Sequence, residues 1–564
     1  MLPLLLLLTS PVAEEQYKQR IQAHLLINDK SSALIEAEAA VKVFPSSELL
    51  QKAYIRALAE QGDETQAIEQ WVELCREMQE KKIDRTMLEV LAWGVLNKGV
   101  SSCQINMRLN ALLGSAFTRD AKAIPFLLSQ LKSSNATLRS VAVRLATNYA
   151  DAPLKAEILR LLKEERVWYV RLYVIAAAGA MHLYEARSQL KEIVANPRTL
   201  AEEKATAIVS LVGMYDKIDR EELLSLVQSP RAGLRQLAAE VMVHLQLYSD
   251  VDLLKILLDD VSSDVRVASL NAMALLCVKN TALVEGLLKD PAPEVAITAA
   301  YVLLINQDPR GESSLLKWVF EENPEWQRLA SAALAISGRY GIKATLAALE
   351  KTQDPYVRVN LAQGLIGQRV QVERACNLIR DTLSQEKALW MWESSRNPLF
   401  RSLAPSQVKH IDSIPHYPSV VDQLTRLDLF SILSKMRSPG ASQAVKEFLE
   451  ARSWGVTGAA AATLIQEGSE EDLEVVRELL KDPDEKIRCQ AALILAIVGS
   501  DSTAVSTLQE SYSRVDREMK VHILEALARI GDPSSIPFLV EVLKEPFQIL
   551  RVVAASALIQ CLYH

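Results

Sequence analysis

One motif recurs along most of this chain and constrains its fold more than any other feature. In residues 482–499 an Asp-Pro turn comes first, Arg488 follows at the start of an apolar run, and Ala491 and Ala492 begin a small-residue face. Apolar residues three, four and seven positions beyond the basic residue lie on one side of an α-helix. Each copy of the motif therefore predicts a helix with one buried face.

The basic position of the motif sets the period. Successive copies are 29 to 33 residues apart, with one interval of 39 residues between Lys387 and Arg426. The residues at this position are Arg108, Arg139, Arg171, Lys204, Arg235, Arg266, Ala296, Arg328, Arg358, Lys387, Arg426, Thr457, Arg488, Lys520 and Arg551. The alignment at Arg328 can slide by one residue. A second helical run precedes each copy, so each interval predicts a helical hairpin, and the series predicts an all-α solenoid over residues 83–387 and 425–564.

Composition agrees with such an array. A chain of 564 residues is too long for one compact core, and a content of 49% hydrophobic but only 5% aromatic residues suits closely packed helices. The formal net charge of −7 disfavours a nucleic-acid partner, because phosphate binding needs a basic surface. The six cysteines are far apart and form no CxxC pair, so we expect small buried side chains rather than disulfides or a zinc site.

Acidic residues beside the turns predict a second feature of the array. Asp264, Asp290, Asp354 and Asp482 each lie just before a helix of the motif. We expect them to pair with basic residues of adjacent repeats and so to align the stack.

The motif resembles the HEAT repeat, in the short form found in the phycobilisome lyase family. The residues that carry the resemblance are Asp354-Pro355-Tyr356-Val357-Arg358, Asp264-Val265-Arg266 and the turn and helix of residues 482–488. The resemblance covers about residues 85–564 and implies a superhelical array of hairpins. It implies no particular activity, because such arrays serve unrelated tasks.

The N-terminal region has a longer period. In residues 14–82, Asn28-Asp29 and Gly62-Asp63 are 34 positions apart, and small alanines and Pro45 lie between them. This spacing resembles two tetratricopeptide repeats, which would form an end cap or a small peptide-binding module. Residues 1–13 are an apolar stretch with a small residue, Ala13, at its end. They suit a signal peptide of an exported protein, or alternatively a short leader on a cytoplasmic protein.

Residues 388–424 interrupt the array. They contain Trp390, Trp392, His410 and His416 among several prolines, which exclude one long helix. Two interpretations stay open: a recognition loop that projects from the array, or a packing discontinuity with buried tryptophans.

The sequence contains no catalytic signature that we recognise, so we predict no catalytic, cofactor-binding or metal-binding residues. A phosphate loop, a nucleophile elbow, an HExxH helix and any His-Glu dipeptide are all missing. The remaining candidate is a surface. Positions two and five beyond the basic residue carry polar or aromatic side chains, and second helices line the inner wall of a solenoid. These stripe residues include Asn110, Arg144, Tyr173, Glu240, Asn271, Tyr301, Asn360, Gln363, Gln490, His522, Glu525 and Ser556.

The stripe favours a protein or an extended peptide as partner over phosphate. We therefore predict a non-enzymatic scaffold that binds a protein along this stripe. The alternative, in the enzyme class, is a lyase or chaperone-lyase related to the bilin lyases, and nucleic-acid binding is a third, weaker reading. The oligomeric state does not follow from the sequence.

Overall fold

A computed structural model describes residues 11–77, 84–385, 389–393, 397–405, 476–499 and 501–563, with scattered residues between 422 and 436. The described residues are almost entirely helical, as the repeat predicts. The departure from an all-α fold is one two-stranded antiparallel hairpin, which lies in the interruption of the array. The chain forms two compact units: unit 1 comprises residues 1–158 and 473–564, and unit 2 comprises residues 159–472.

The helices follow one another in short hairpins. The first nine are α1 (Pro11–Leu26), α2 (Lys30–Val43), α3 (Glu48–Gln61), α4 (Glu64–Glu77), α5 (Arg85–Val100), α6 (Ile105–Phe117), α7 (Ile124–Leu131), α8 (Ala136–Ala146) and α9 (Ala152–Glu164). Unit 2 continues with α10 (Trp168–Ala180), α11 (Arg187–Ala195), α12 (Ala201–Val212), α13 (Arg220–Val227), α14 (Ala232–His244), α15 (Leu254–Leu258), α16 (Ser263–Leu275), α17 (Pro293–Ile305), α18 (Pro309–Val319), α19 (Pro324–Ile336), α20 (Ile342–Lys351), α21 (Pro355–Gly367) and α22 (Val372–Gln385). The hairpin strands are β1 (Trp390–Glu393) and β2 (Ser402–Pro405). Unit 1 resumes with α23 (Glu485–Gly499), α24 (Val505–Tyr512), α25 (Arg517–Ile530), α26 (Ile536–Val542) and α27 (Gln548–Tyr563).

The basic residue of the motif makes a hydrogen bond that recurs in several repeats. It is the fourth residue of the second helix, and its guanidinium donates a hydrogen bond to the carbonyl oxygen six residues earlier, as Arg266 does to Asp260 at 2.6 Å. The same bond is made by Arg139, Arg171, Arg235, Arg358, Arg488 and Arg551. It satisfies a backbone oxygen in the turn before the second helix, a place where carbonyls lack helical partners. In these repeats the motif therefore fixes the turn between the two helices.

The repeat at Arg328 shows the slide of one residue that the sequence allows. Helix α19 begins at Pro324, which makes Gln327 its fourth residue, and the Gln327 carboxamide donates to the Glu321 carbonyl oxygen, again six residues earlier. Gln327 is thus the structural counterpart of the basic residues. Arg328 therefore does not make the turn bond. Its side chain is buried, and its Nε lies 3.4 Å from a carboxylate oxygen of Glu393. Lys387 and Thr457, two other copies of the motif, lie outside the described residues.

A ladder of ion pairs joins successive repeats, although with different partners from most of those expected. Arg266 pairs with Asp290 at 2.8 Å, and Arg235 donates to Asp260 at 2.8 Å. Asp354 and Asp482 instead accept hydrogen bonds from the nearby backbone amides of Val357 and Asp484, because they cap or close their own turns. Asp264 lies in the first turn of α16. The acidic partners of these two arginines, Asp290 and Asp260, therefore lie in the turn before the second helix of the following repeat.

The pair between Arg235 and Asp260 leads to a prediction about pH. Burial opposes ionisation of Asp260, but hydrogen bonds from Arg235 and from the Ser262 amide hold its pKa below the usual range. Such a group stabilises the fold fully above about pH 4, and the stabilisation is lost as the pH falls through the lowered pKa. We expect Asp260→Ala to lower the free energy of unfolding by roughly 1.5–3 kcal/mol at pH 7. In urea unfolding, the difference in stability between the unmodified chain and Asp260→Ala should become smaller below pH 4. The control Asp259→Ala replaces an exposed neighbour and should change the stability little. A difference of equal size at every pH would contradict the role assigned to the ion pair.

The two ends of the chain pack together within unit 1. Helix α27 lies against α5 and α6, so the last repeat stacks on the first hairpin of the array. Gly114 permits the close approach, since a Cβ there would lie 2.9 Å from Cβ of Ser556, whose hydroxyl donates to the Gly114 carbonyl at 3.2 Å. The ion-pair ladder also continues: Arg551 pairs with Glu64 of α4 at 3.4 Å. The N-terminal helices thus serve as the next repeat for the C-terminal one.

Helices α1 to α4 form two helical hairpins at the start of unit 1. Ile21, Ala33, Ala37, Ala40 and Phe44 belong to a small core between α1, α2 and α3. The tetratricopeptide resemblance stays a prediction. Residues 1–10, most of the predicted leader, lie outside the described residues, and α1 already begins at Pro11. Among the helices that the structure describes, none combines the length and the apolar character needed to cross a membrane.

Candidate partner-binding face

The predicted stripe of unit 2 lies on the second helices of its repeats. These helices pack in the order α10, α12, α14, α16, α17, α19 and α21, and their common surface is called the stripe face below. It carries Tyr173, Glu240, Asn271, Tyr301, Asn360 and Gln363. The stripe face has two parts that differ in exposure. One end is open, and the other is covered by the hairpin of strands β1 and β2.

The covered end begins with a pair of carboxamides. Asn397, in the connection between the strands, donates from Nδ2 to Oδ1 of Asn271 at 3.0 Å and to the hydroxyl of Thr298 at 2.8 Å. Asn271 returns a hydrogen bond from its Nδ2 to Oδ1 of Asn397, also at 3.0 Å. Both asparagines are buried, Asn271 at 5% exposure and Asn397 at 0%. The stripe residue Asn271 is therefore not open to solvent but paired with the chain's own insertion.

An aromatic contact follows along the same face. The ring of Phe400 meets the ring of Tyr301 edge-on, with centroids 5.2 Å apart and an interplanar angle of 79°. Phe400 is almost completely buried, and burial also raises the pKa of the Tyr301 hydroxyl. This arrangement places the positive edge of one ring against the negative face of the other.

The stripe residue Asn360 binds a backbone amide of the hairpin. The amide of Leu403, in β2, donates to Oδ1 of Asn360 at 3.1 Å, and Nδ2 of Asn360 donates to the hydroxyl of Ser331 at 3.1 Å. Asn360 is 2% exposed. It thus acts as a bridge between helix α19 and an extended strand. Gln363 lies one turn further along α21 and is half-buried.

The two tryptophans of the interruption hold the hairpin in place. Trp390 is fully buried with its ring centroid 4.5 Å from that of Tyr356, and its backbone amide donates to Oδ1 of Asp422 at 2.6 Å. Trp392 is half-buried and its indole donates to Asp428 at 2.9 Å. The described part of the interruption is therefore seated against the array rather than projecting from it. His410 and His416 lie outside the described residues.

At the open end of the stripe face, the side chains are available to solvent. Tyr173 on α10 is 39% exposed, and Val209 on α12 is 72% exposed. Val209 lies five positions beyond Lys204 and so satisfies the spacing of the stripe. It was not predicted because only polar and aromatic residues at these positions were selected. Glu240 on α14 is half-buried, and burial raises the pKa of its carboxyl.

The stripe residues of unit 1 converge on no shared contact of this kind. The Asn110 side chain donates to the Asn106 carbonyl of its own helix at 2.8 Å, and His522 lies 3.3 Å from Glu525 one turn away. Arg144 is exposed and Gln490 is half-buried. Ser556 is buried against α6 and belongs to the contact between the chain ends. The spacing that defines the stripe does not distinguish these positions from those of unit 2.

Several residues of the covered end were not predicted. Thr298 follows the spacing rule, two positions beyond Ala296, but Arg328 and Ser331 fall outside it, since they lie one and four positions beyond Gln327. Asn397, Phe400 and Leu403 belong to the interruption, where no repeat gives a register. Within the described part of the chain, no three His, Cys, Asp or Glu side chains are grouped so that they could hold a metal ion.

The cysteines differ from the expectation of uniform burial. Cys376, Cys489 and Cys561 are buried, but Cys103 and Cys277 are exposed because both lie in turns after helices. Burial raises the pKa of the Cys489 thiol to about 11 and that of Cys561 to about 12.

These thiol pKa values predict selective labelling. At pH 8 fewer than about one thiol in a thousand at Cys489 or Cys561 is the reactive thiolate. We expect a maleimide to modify Cys103 and Cys277 in the folded chain and to reach Cys489 and Cys561 only after unfolding, as peptide mass mapping would show. Equal labelling rates at Cys489 and Cys103 would contradict this.

A sequence profile described as HEAT repeats matches residues 473–559, which include helices α23 to α26 and most of α27. The same turn bond, six residues back from the fourth position of the second helix, recurs through unit 2. The chain contains HEAT repeats.

Solved structures resemble this HEAT-repeat protein only distantly. The Escherichia coli protein YibA is 17% identical, with 45% of this chain and 95% of that chain covered and a TM-score of 0.30. The complex of CpcE and CpcF of the phycocyanin lyase from Nostoc is 15% identical, with coverage of 54% and 96% and a TM-score of 0.23. The myosin chaperone UNC-45 from C. elegans is 14% identical, with coverage of 98% and 82% and a TM-score of 0.36. No curated protein matches the chain in sequence. Likenesses at this level say nothing about partner or activity.

Proposed function

We propose that this HEAT-repeat protein is a non-enzymatic scaffold that binds a partner protein along the stripe face of unit 2. The observation that carries the proposal is the mode of contact at the covered end. There Asn271 and Tyr301 bind a turn at residues 397–400 through a carboxamide and a ring, and Asn360 binds the backbone amide of Leu403 in strand β2. Side chains that bind backbone in this way recognise an extended polypeptide.

The chemistry of the open end fits the same class of partner. Tyr173 and Val209 offer an aromatic ring and an apolar surface, which are common in protein interfaces, and neither attracts phosphate. The net charge of −7 also favours a protein segment over a nucleic acid. A partner that lies across Tyr173 and Val209 would continue the line of contacts that the hairpin makes further along the face.

Site-specific photo-crosslinking tests this proposal. A benzophenone side chain is placed at Tyr173 or at Val209 of the full chain in the cells that produce it, and adducts are identified by mass spectrometry. The control position is Val261, which is 94% exposed in the turn between α15 and α16. We expect one shared protein adduct at both stripe positions and none of that mass at the control. The same adducts at all three positions, or a small molecule that co-purifies without any stripe adduct, would overturn the scaffold proposal.

A further inference from the structure

The segment that covers the stripe face has the properties of a bound ligand. We propose that residues 397–403 are an internal stand-in for the partner, which presents the same three groups at the same spacing: a carboxamide, an aromatic ring three residues later and a leucine three residues after that. This inference rests on the proposed function and names the partner segment. The partner and the chain's own hairpin then compete for one face.

Buried polar groups on the stripe face carry the argument. Asn271 and Asn360 are 5% and 2% exposed, and each makes hydrogen bonds to the insertion. A face that served only to pack helices would be apolar, because a buried polar group without a partner costs free energy. With the insertion in place, water is excluded from these side chains, and the insertion supplies hydrogen-bond partners in its stead. The face is therefore built for an occupant.

Three contacts define what the occupant must present. Asn271 and Thr298 accept hydrogen bonds from a carboxamide, and Asn271 also donates one in return. The ring of Tyr301 takes an aromatic edge, and Asn360 accepts a backbone amide from a residue with a fully buried leucine side chain. In this chain Asn397, Phe400 and Leu403 supply these groups.

The occupant is an addition to the array, not one of its repeats. It lies within the one interval of 39 residues, and the second helices α16, α17, α19 and α21 pack on one another in sequence, with α19 and α21 also in contact with β2. The face also continues past the hairpin to the exposed Tyr173 and Val209. A partner that binds the open end can extend onto the covered end only by displacing the hairpin.

Displacement is a competition with a tethered segment. A segment on the same chain acts at an effective concentration on the order of millimolar, so a free peptide of equal intrinsic affinity cannot displace it at micromolar concentration. Weakening the tethered occupant removes that competitor. Binding of the free peptide should therefore appear only when the hairpin's own contacts are cut.

The test uses a fluorescein-labelled peptide with the sequence of residues 397–403, Asn-Pro-Leu-Phe-Arg-Ser-Leu, and fluorescence anisotropy. The receptors are the full chain, the full-length double variant Asn397→Ala/Phe400→Ala, and that double variant with Asn360→Ala added. We expect binding to the double variant, no binding to the unmodified chain at the same micromolar concentrations, and roughly tenfold weaker binding once Asn360 is replaced. A peptide with alanine in place of its phenylalanine should not bind the double variant.

The outcomes separate this inference from the proposed function. Equal binding to the unmodified chain and the double variant, binding that ignores Asn360→Ala, or no binding to any receptor would overturn the inference. Asn271→Ala serves as a second groove variant if circular dichroism shows that Asn360→Ala unfolds. Crosslinks at Tyr173 and Val209 do not depend on the hairpin, so the scaffold proposal survives a failed peptide test if those crosslinks form.

Discussion

A chain that ends at Glu545 is expected to lose the folded state of unit 1, including helices α5 and α6 near the other end of the sequence. The deletion removes α27, which buries Leu550, Val552, Val553, Leu558, Ile559 and Leu562. Each such side chain contributes about 1.5–3 kcal/mol when fully buried. The deletion therefore removes much of the apolar core that α27 shares with α5 and α6, and a domain's net stability is only about 5–15 kcal/mol.

Hydrogen exchange distinguishes this result from ordinary fraying at a chain end. Repeats in an open array contact only their neighbours, so loss of the terminal helix would expose α26 of the same repeat and α25 of the preceding one, and nothing else. Because α27 also packs on α5 and α6, we expect the amides of residues 85–117 to lose protection as well. Unchanged protection of these amides in the truncated chain would contradict the packing of the two ends.

A point variant gives the same test without truncation. In Gly114→Val the new Cβ would lie 2.9 Å from Cβ of Ser556, too close for the two helices to keep their separation. We expect unit 1 to lose about 1–3 kcal/mol of stability from this overpacking. Gly213→Ala is the control, since a Cβ there meets nothing closer than 3.8 Å, and it should leave the melting of the chain unchanged.

The second large effect is expected at Phe400. Phe400→Ala removes a ring that is 1% exposed and packs edge-on against Tyr301, and such truncations cost about 3–5 kcal/mol. We expect the cost to fall on the seating of the hairpin, because α17 and α19 keep their contacts with each other. Trypsin should then cut after Arg401 much faster than in the unmodified chain, while the helical circular dichroism changes little.

Leu389→Ala is the matched control for the trypsin experiment. It removes a large apolar side chain next to the same hairpin, but one that is 37% exposed. Cleavage after Arg401 should stay slow in this variant. If Phe400→Ala instead unfolds unit 2 as a whole, the hairpin is part of its core and not a separable occupant.

Local features of this fold could be predicted from the sequence because the residues that determine the turn and the buried face of a repeat lie within that repeat. The fourth-position residue, the Pro or Asp at the turn and the small apolar face all act within one hairpin, so a period of about 31 residues was enough to place the second helices. The shift at Gln327 shows the limit of this reasoning. An arginine next to the true position looked like the repeat residue until the turn bond identified the glutamine.

The contacts that cover the stripe face and join the chain ends are long-range and were not predictable in this way. The contact of α27 with α5 and α6 joins the first and last hairpins, and the carboxamide pair of Asn271 and Asn397 spans 126 residues. No periodicity links such positions. The stripe rule groups Asn271, Tyr301 and Asn360 by their spacing, but it could not show that the chain's own hairpin covers all three.

Hydrogen exchange of the unmodified full chain tests the central claim most directly, namely that the stripe face holds a separable occupant. The amides to follow are those of β1, β2 and Leu399, with helices α16, α17, α19 and α21 as the internal reference. If the hairpin is a stand-in for a partner, its amides should exchange through a local opening, much faster than those of the four helices beneath it. Equal protection of hairpin and helices, with both exchanging only when unit 2 unfolds, would contradict the account.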